Sequence, residues 1–293
     1  MPKTIEFRRY TGLNGLMLAA DVGGDPRAPA VILLHGGGQT RHSWSGAMAR
    51  MLAAGYHVIN LDARGHGDSD WAADGDYGVA ALAGDLRAVI ATLPHPPALV
   101  GASMGGATGL YLVGGSAEPL AAALVMVDFV PHLAPEGARK IREFMQAHPG
   151  GFATLEEAAN AVAAYNPHRP RPKDPSGLMK NLRLRAGRLY WHWDPRIIQR
   201  EDSVEPPQFL EPLYEVIKHV KIPTLVVRGL QSDVVTENGI EELRAAVPQL
   251  EVCDVAGAGH MVAGDKNDAF TDGVLSFLQR HLLLRPPTAP APK

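Results

Sequence analysis

Short, largely apolar runs alternate along this chain with longer stretches whose apolar residues recur every three or four positions. The runs fall at 30–34, 56–61, 97–101, 121–129 and 222–228. An apolar run without polar alternation suits a strand covered on both faces, as in a parallel sheet. Between and after the runs, the 3–4 period predicts helices over 43–54, 79–92, 104–113, 236–247 and 268–284. A further strand is expected over 250–255, and a hairpin-like opening over 5–10 and 15–22, joined through Gly12 to Asn14. Regular β–α alternation predicts an α/β domain with a mostly parallel sheet and helices on both faces.

The rhythm fails between 132 and 219. Proline-rich hinges, among them Asn166-Pro167-His168-Arg169-Pro170-Arg171-Pro172 and Glu205-Pro206-Pro207, separate helical pieces near 135–147, 154–164 and 209–219. No buried strand is evident there, so the segment reads as a helical insertion over the sheet. The expected division is core over 1–131, helical cap over 132–219, core again over 220–284, and a disordered Pro-rich tail over 285–293.

One turn organises the rest. In Leu99-Val-Gly101-Ala-Ser103-Met104-Gly105 a strand stops and a helix starts, with glycines two before and two after a serine. That spacing suits a sharp strand-to-helix turn in which neighbouring Cβ atoms would collide. The serine is left at the tip, beside the free backbone N–H groups of a helix start.

Composition narrows the classes. A net charge of −3 and the lack of a Lys/Arg-rich stretch with interleaved aromatics argue against a nucleic-acid partner. The single cysteine, Cys253, cannot form an internal disulfide and reads as a small buried hydrophobe, which suits a reducing compartment. The N-terminal residues lack the apolar core of a signal peptide, and no run of about 18 apolar residues exists to span a bilayer. The expectation is a soluble cytoplasmic protein with no membrane partner; self-association into a homodimer stays open.

A serine nucleophile needs a base, and twelve histidines compete. Functional groups of an open α/β sheet collect beyond the carboxyl ends of its strands, which favours His260 in the glycine-rich loop after 250–255. The base needs a carboxylate. Asp233, beyond the strand ending at Arg228, is the first choice; Asp128, ending the preceding strand, competes, with Asp254 and Glu237 behind. Two backbone donors are needed for an oxyanion, and Met104 N–H with Gly37 N–H fit best, Gly38 coming next. Gly36 to Gly38 match neither phosphate-binding glycine pattern. Asp62, His66 and Asp68 could be read as metal ligands, but the glycines among them favour a braced turn, and no metal or organic cofactor is expected. Substrate-lining candidates are Trp44, Phe129, Tyr165, Tyr190 and Trp191, each of which packing could equally explain; His192 and Trp193 belong to the same aromatic concentration.

Taken together, His35-Gly36-Gly37-Gly38, Asp62-x-Arg64-Gly65-x-Gly67-x-Ser69, Gly101-x-Ser103-x-Gly105, Asp233 and Gly259-His260 resemble the α/β-hydrolase superfamily. The likeness is to its capped branch of epoxide hydrolases, haloalkane dehalogenases, perhydrolases, carbon–carbon bond hydrolases and small esterases or lactonases. It implies a mostly parallel eight-stranded sheet, a helical cap after the sixth strand, Ser103 as nucleophile, Asp233 as acid and His260 as base. Epoxide hydrolases and dehalogenases carry an aspartate where this chain has Ser103, which points away from both. A carboxylic ester or lactone cleaved through an acyl-enzyme is the simplest expectation. A carbon–carbon hydrolase of a vinylogous diketone and a ligand receptor without turnover are the alternatives.

Overall fold

The computed structural model describes residues 4–165, 171, 173–199, 210–260 and 267–282. The chain opens with β1 (Ile5–Thr11), β2 (Met17–Gly23) and β3 (Ala30–Leu34). Next come α1 (Ser45–Ala54), β4 (His57–Leu61), α2 (Val79–Ile90), β5 (Ala98–Ala102), α3 (Met104–Gly114) and β6 (Ala123–Val127). After an insertion the alternation resumes with β9 (Thr224–Gly229), α8 (Glu237–Ala246), β10 (Leu250–Val255) and α9 (Thr271–His281). These strands form one sheet in the order β1-β2-β4-β3-β5-β6-β9-β10, with β2 antiparallel to both neighbours and every other pair parallel.

Alternation within each run divides the core between the two faces of the sheet. Ile32, Ile59, Leu99, Leu124 and Val226 pack with α2, α3 and α8. Val31, Leu33, Val58, Val100, Val125 and Val227 pack on the other face with α1 and α9. Full burial of each such aliphatic side chain is worth about 1.5–3 kcal/mol, so the continuous runs stabilise the sheet from both sides.

The insertion holds α4 (Pro135–Gln146), α5 (Leu155–Tyr165), β7 (Leu182–Arg185), β8 (Arg188–Trp191), α6 (Arg196–Gln199) and α7 (Glu211–Val216). The expectation of an insertion without strands is corrected, because β7 and β8 form an antiparallel hairpin with Leu182 opposite Trp191. Its two-residue turn is Ala186-Gly187, at φ +46° and +76°, the left-handed pair that suits strand twist. The sequence signal was the alternation in Leu-Arg-Leu-Arg, joined by a turn lacking the Asn-Gly or Asp-Gly mark. The insertion has an apolar cluster of its own, including Phe144, Phe152, Leu182, Leu189, Trp191 and Trp193. The tail expected over 285–293, and the prolines at 167, 170, 172, 206 and 207, lie outside the described residues.

Candidate active site

Ser103 sits between β5 and α3 at φ +45°, ψ −112°, a conformation that costs a residue with a Cβ on the order of 1–3 kcal/mol. The surroundings hold it there: Ser103 N–H donates to Val127 O at 3.0 Å, and its carbonyl accepts from Ala107 N at 2.9 Å. The flanking glycines permit the close approach of strand and helix. A Cβ on Gly101 would lie 2.2 Å from the carbonyl carbon of Gly105, and one on Gly105 would lie 2.5 Å from Leu34 O.

His260 arrives in the loop after β10 and is buried. Its Nδ1 lies 2.8 Å from Asp128 Oδ2, which also accepts from Ser232 Oγ at 2.8 Å, while Asp128 Oδ1 accepts from Gly229 N at 3.2 Å. A donor at Nδ1 leaves Nε2 as the acceptor, the tautomer a general base requires.

The expected placement of Asp233 is therefore corrected. Asp233 is half exposed and pairs with Lys140 of α4 at 2.9 Å. Its loop runs close against α4, where a Cβ on Gly137 would fall 2.3 Å from Asp233 O. That path turns the Asp233 side chain outward and sends its neighbour Ser232 inward. The competing aspartate, Asp128, takes the place beside the histidine.

Ser103, Met104, Gly37 and His260 line one cavity of about 200 Å³ with Phe129 and apolar residues of the insertion such as Ile141 and Met145. No hydrogen bond joins Ser103 Oγ to another described residue. Contacts of this type commonly close only when substrate is bound.

The loop after β3 shows which donor faces the cavity. Gly36 N–H is taken by Gln39 Oε1 at 3.0 Å and Gly38 N–H by His66 Nε2 at 3.2 Å. Gly37 N–H has no partner among the described residues, and neither has Met104 N–H at the start of α3. Both amides belong to residues lining the cavity that holds Ser103.

The polar loop after β4 braces its surroundings. Asp62 accepts from Arg41 N at 2.6 Å and from Asp68 N at 2.9 Å, and pairs with the Arg41 guanidinium. Arg64 grips Asp85 through two bonds of 2.6 and 2.8 Å. Among the described residues no group of acidic, histidine or cysteine side chains is arranged to hold a metal. No described helix is long and apolar enough to cross a membrane.

Of the aromatic candidates, Phe129 lines the Ser103 cavity. Trp44 does not: it is fully buried in the core, with Nε1 donating to Leu34 O at 3.0 Å. Tyr165 packs on Phe144 inside the insertion. Tyr190 and Trp191 line a separate cavity of about 140 Å³ within the insertion. The lining residues missed from the sequence, Leu133, Ile141 and Met145, lie on or just before an amphipathic helix whose apolar stripe gives no sign of what it faces.

A strained serine, a buried His260–Asp128 pair and two amides without a partner among the described residues meet at one largely apolar cavity, and comparison with known proteins shows the family. Residues 29–266 match the family model described as alpha/beta hydrolase fold, and the chain belongs to that family. It is 31% identical over 274 residues to the mouse sn-1-specific diacylglycerol lipase ABHD11, covering 87% of this chain and 82% of that one. It is 30% identical over 258 residues to the esterase Rv0045c of Mycobacterium tuberculosis, covering 86% and 83%. A crystal structure of an α/β hydrolase from Novosphingobium aromaticivorans superposes with a TM-score of 0.77 at 25% identity, covering 94% of this chain and 98% of that one.

Proposed function

We propose that this protein is a serine hydrolase that cleaves a carboxylic ester or lactone through an acyl-enzyme. The observation that carries the reading is the buried His260–Asp128 pair opening on the cavity that Ser103 lines. In this mechanism His260 Nε2 removes the Ser103 hydroxyl proton as Oγ attacks the ester carbonyl. Negative charge develops on the carbonyl oxygen, and the Gly37 and Met104 N–H groups receive it; one such donor is worth about 3 kcal/mol in the transition state. Asp128 holds the Nδ1–H tautomer and steadies the imidazolium. The intermediate collapses, His260 passes its proton to the leaving alkoxide, and an alcohol departs. Water, deprotonated by the same imidazole, then attacks the acyl-serine and releases the acid.

The mostly apolar lining suits an uncharged acyl chain of short to medium length. The esterase and lipase names among the relatives support ester cleavage, while the acyl group itself would be chosen by the insertion. The test is turnover of p-nitrophenyl esters graded by chain length, with fluorophosphonate labelling of the protein and of Ser103→Ala. Turnover and labelling that both vanish in the variant are expected. Labelling without turnover would favour a ligand receptor, and full activity in Ser103→Ala would remove Ser103 from the chemistry.

A further inference from the structure

Three consecutive glycines carry the Gly37 donor, and such a segment has the greatest backbone freedom a chain allows. An oxyanion donor works only if its direction is fixed before charge develops. The Gly36–Gly38 segment must therefore be held from outside, since it has no side chains with which to anchor itself.

Gln39 holds the Gly36 end, its Oε1 accepting Gly36 N–H at 3.0 Å and its backbone N–H donating to Gly36 O at 3.1 Å, and the other holding groups are a row of buried imidazoles. His35 and His66 have ring centroids 5.1 Å apart, and His66 and His192 are 5.7 Å apart. His35 Nδ1 lies 2.8 Å from Gly36 O, the other end of the peptide that bears Gly37 N–H, while its Nε2 accepts from Ala63 N at 3.0 Å. His66 Nε2 accepts Gly38 N–H at 3.2 Å, and its Nδ1 lies 3.0 Å from Arg64 O. Gly38 O is held by the third ring, with His192 Nε2 at 3.2 Å. Gly67 N–H donates to His192 Nδ1 at 2.8 Å, which requires the neutral tautomer with its proton on Nε2, directed at Gly38 O.

His192 differs from the other two in origin. His35 and His66 belong to the core loops after β3 and β4, whereas His192 follows β8 in the insertion. The same seam is fastened by Asp194 N–H to Gly65 O at 2.9 Å and by Arg183 Nη2 to Gly67 O at 2.7 Å. One cap side chain thus reaches through the seam to the residue next to the proposed oxyanion donor. We propose that His192 is a positioning residue for Gly37 N–H, so that seating of the cap on the core completes the oxyanion site. The inference rests on the serine-hydrolase reading.

Two near-isosteres separate the bonds of the His192 ring. A glutamine places an amide N–H near the position of Nε2 and keeps the bond to Gly38 O, whereas an asparagine places its oxygen near Nδ1 and keeps only the bond from Gly67. With p-nitrophenyl acetate, His192→Ala and His192→Asn are expected to lower kcat about tenfold or more, with KM changed less than about threefold. His192→Gln is expected to restore most of kcat, and inhibition by phenylboronic acid, whose serine adduct presents an oxygen to the oxyanion donors, should weaken in step with kcat/KM. A merely structural seam predicts the reverse pattern, with rescue by asparagine. That pattern, or a rise in KM with kcat intact, would overturn the proposal. If His192→Ala does not fold, the glutamine and asparagine variants decide, each checked by its thermal midpoint. An unaltered protein that neither turns over the ester nor takes up a fluorophosphonate defeats the hydrolase reading as well; an active one with the wrong variant pattern defeats this inference alone.

Discussion

Asp128 Oδ2 stands 2.8 Å from His260 Nδ1, whereas the carboxylate of Asp233 stands 2.9 Å from Lys140 on the surface. The two aspartates follow neighbouring parallel strands, β6 and β9, in which Val127 is level with Val227. Asp128 comes directly after its strand, at φ +48°, and its N–H is tied to Val227 O at 2.8 Å, so its side chain is fixed at the sheet edge.

This arrangement separates the aspartates experimentally. Asp128→Asn is expected to lower kcat by about 10³–10⁴, because an amide cannot hold the imidazole in its working tautomer or stabilise its protonated form. Asp233→Asn should stay within about twofold of the unaltered protein, its ion pair being exposed and weak. Steady-state kinetics of both variants on one ester checks the assignment, and an inactive Asp233→Asn would reverse it.

Gly101 meets backbone where any side chain would have to go, 2.2 Å from the Gly105 carbonyl carbon. Gly101→Ala should destabilise the protein by about 3 kcal/mol or more, since helix and strand must part to admit a methyl group. Urea unfolding gives the difference, and an unchanged midpoint would contradict the close approach.

Arg64 and Asp85 are both buried and joined by two bonds. Removing the cation alone strands a carboxylate away from water, so Arg64→Ala is expected to cost about 3–5 kcal/mol. Replacing both partners with apolar residues should recover much of that loss. Thermal and urea unfolding of the single and double variants measures the coupling, and a double variant no better than the single would speak against it.

Burial pushes the His35 imidazole down to about 4, and burial together with the neighbouring His35 pushes His66 down to about 3. Below pH 6.5 the unfolded chain takes up protons on these rings that the folded chain refuses. Stability should therefore fall as pH drops from about 6.5 towards 4, by about 1.4 kcal/mol per unit for each such ring. His66→Gln should shed one such contribution from the slope. Urea unfolding at several pH values across this window tests it; equal slopes for the two proteins would refute the assignment of His66.

Much of the architecture was legible because burial leaves a local trace. Largely apolar runs marked the parallel strands, the 3–4 period marked the helices, and Gly101-x-Ser103-x-Gly105 marked the turn, since only glycine tolerates the contacts there. The hairpin Leu182–Trp191 escaped because its turn is Ala-Gly and its strands are only four residues long. Trp44 and Tyr165 were equally plausible as lining or packing, for an aromatic side chain has the same sequence signature in either place.

The sequence by itself determined the succession of strands and helices in the α/β core, the place of the serine turn and the presence of a histidine loop after the last strand, because each depends on residues close together in the chain. The tertiary structure alone decided that Asp128 and not Asp233 meets His260, that Gly37 N–H has no partner among the described residues while its neighbours do, and that His192 reaches from the insertion to Gly38. Those outcomes depend on how loops from distant segments cross beyond the carboxyl ends of the strands, where Ser232 faces Asp128 while the next residue, Asp233, pairs with Lys140 at the surface.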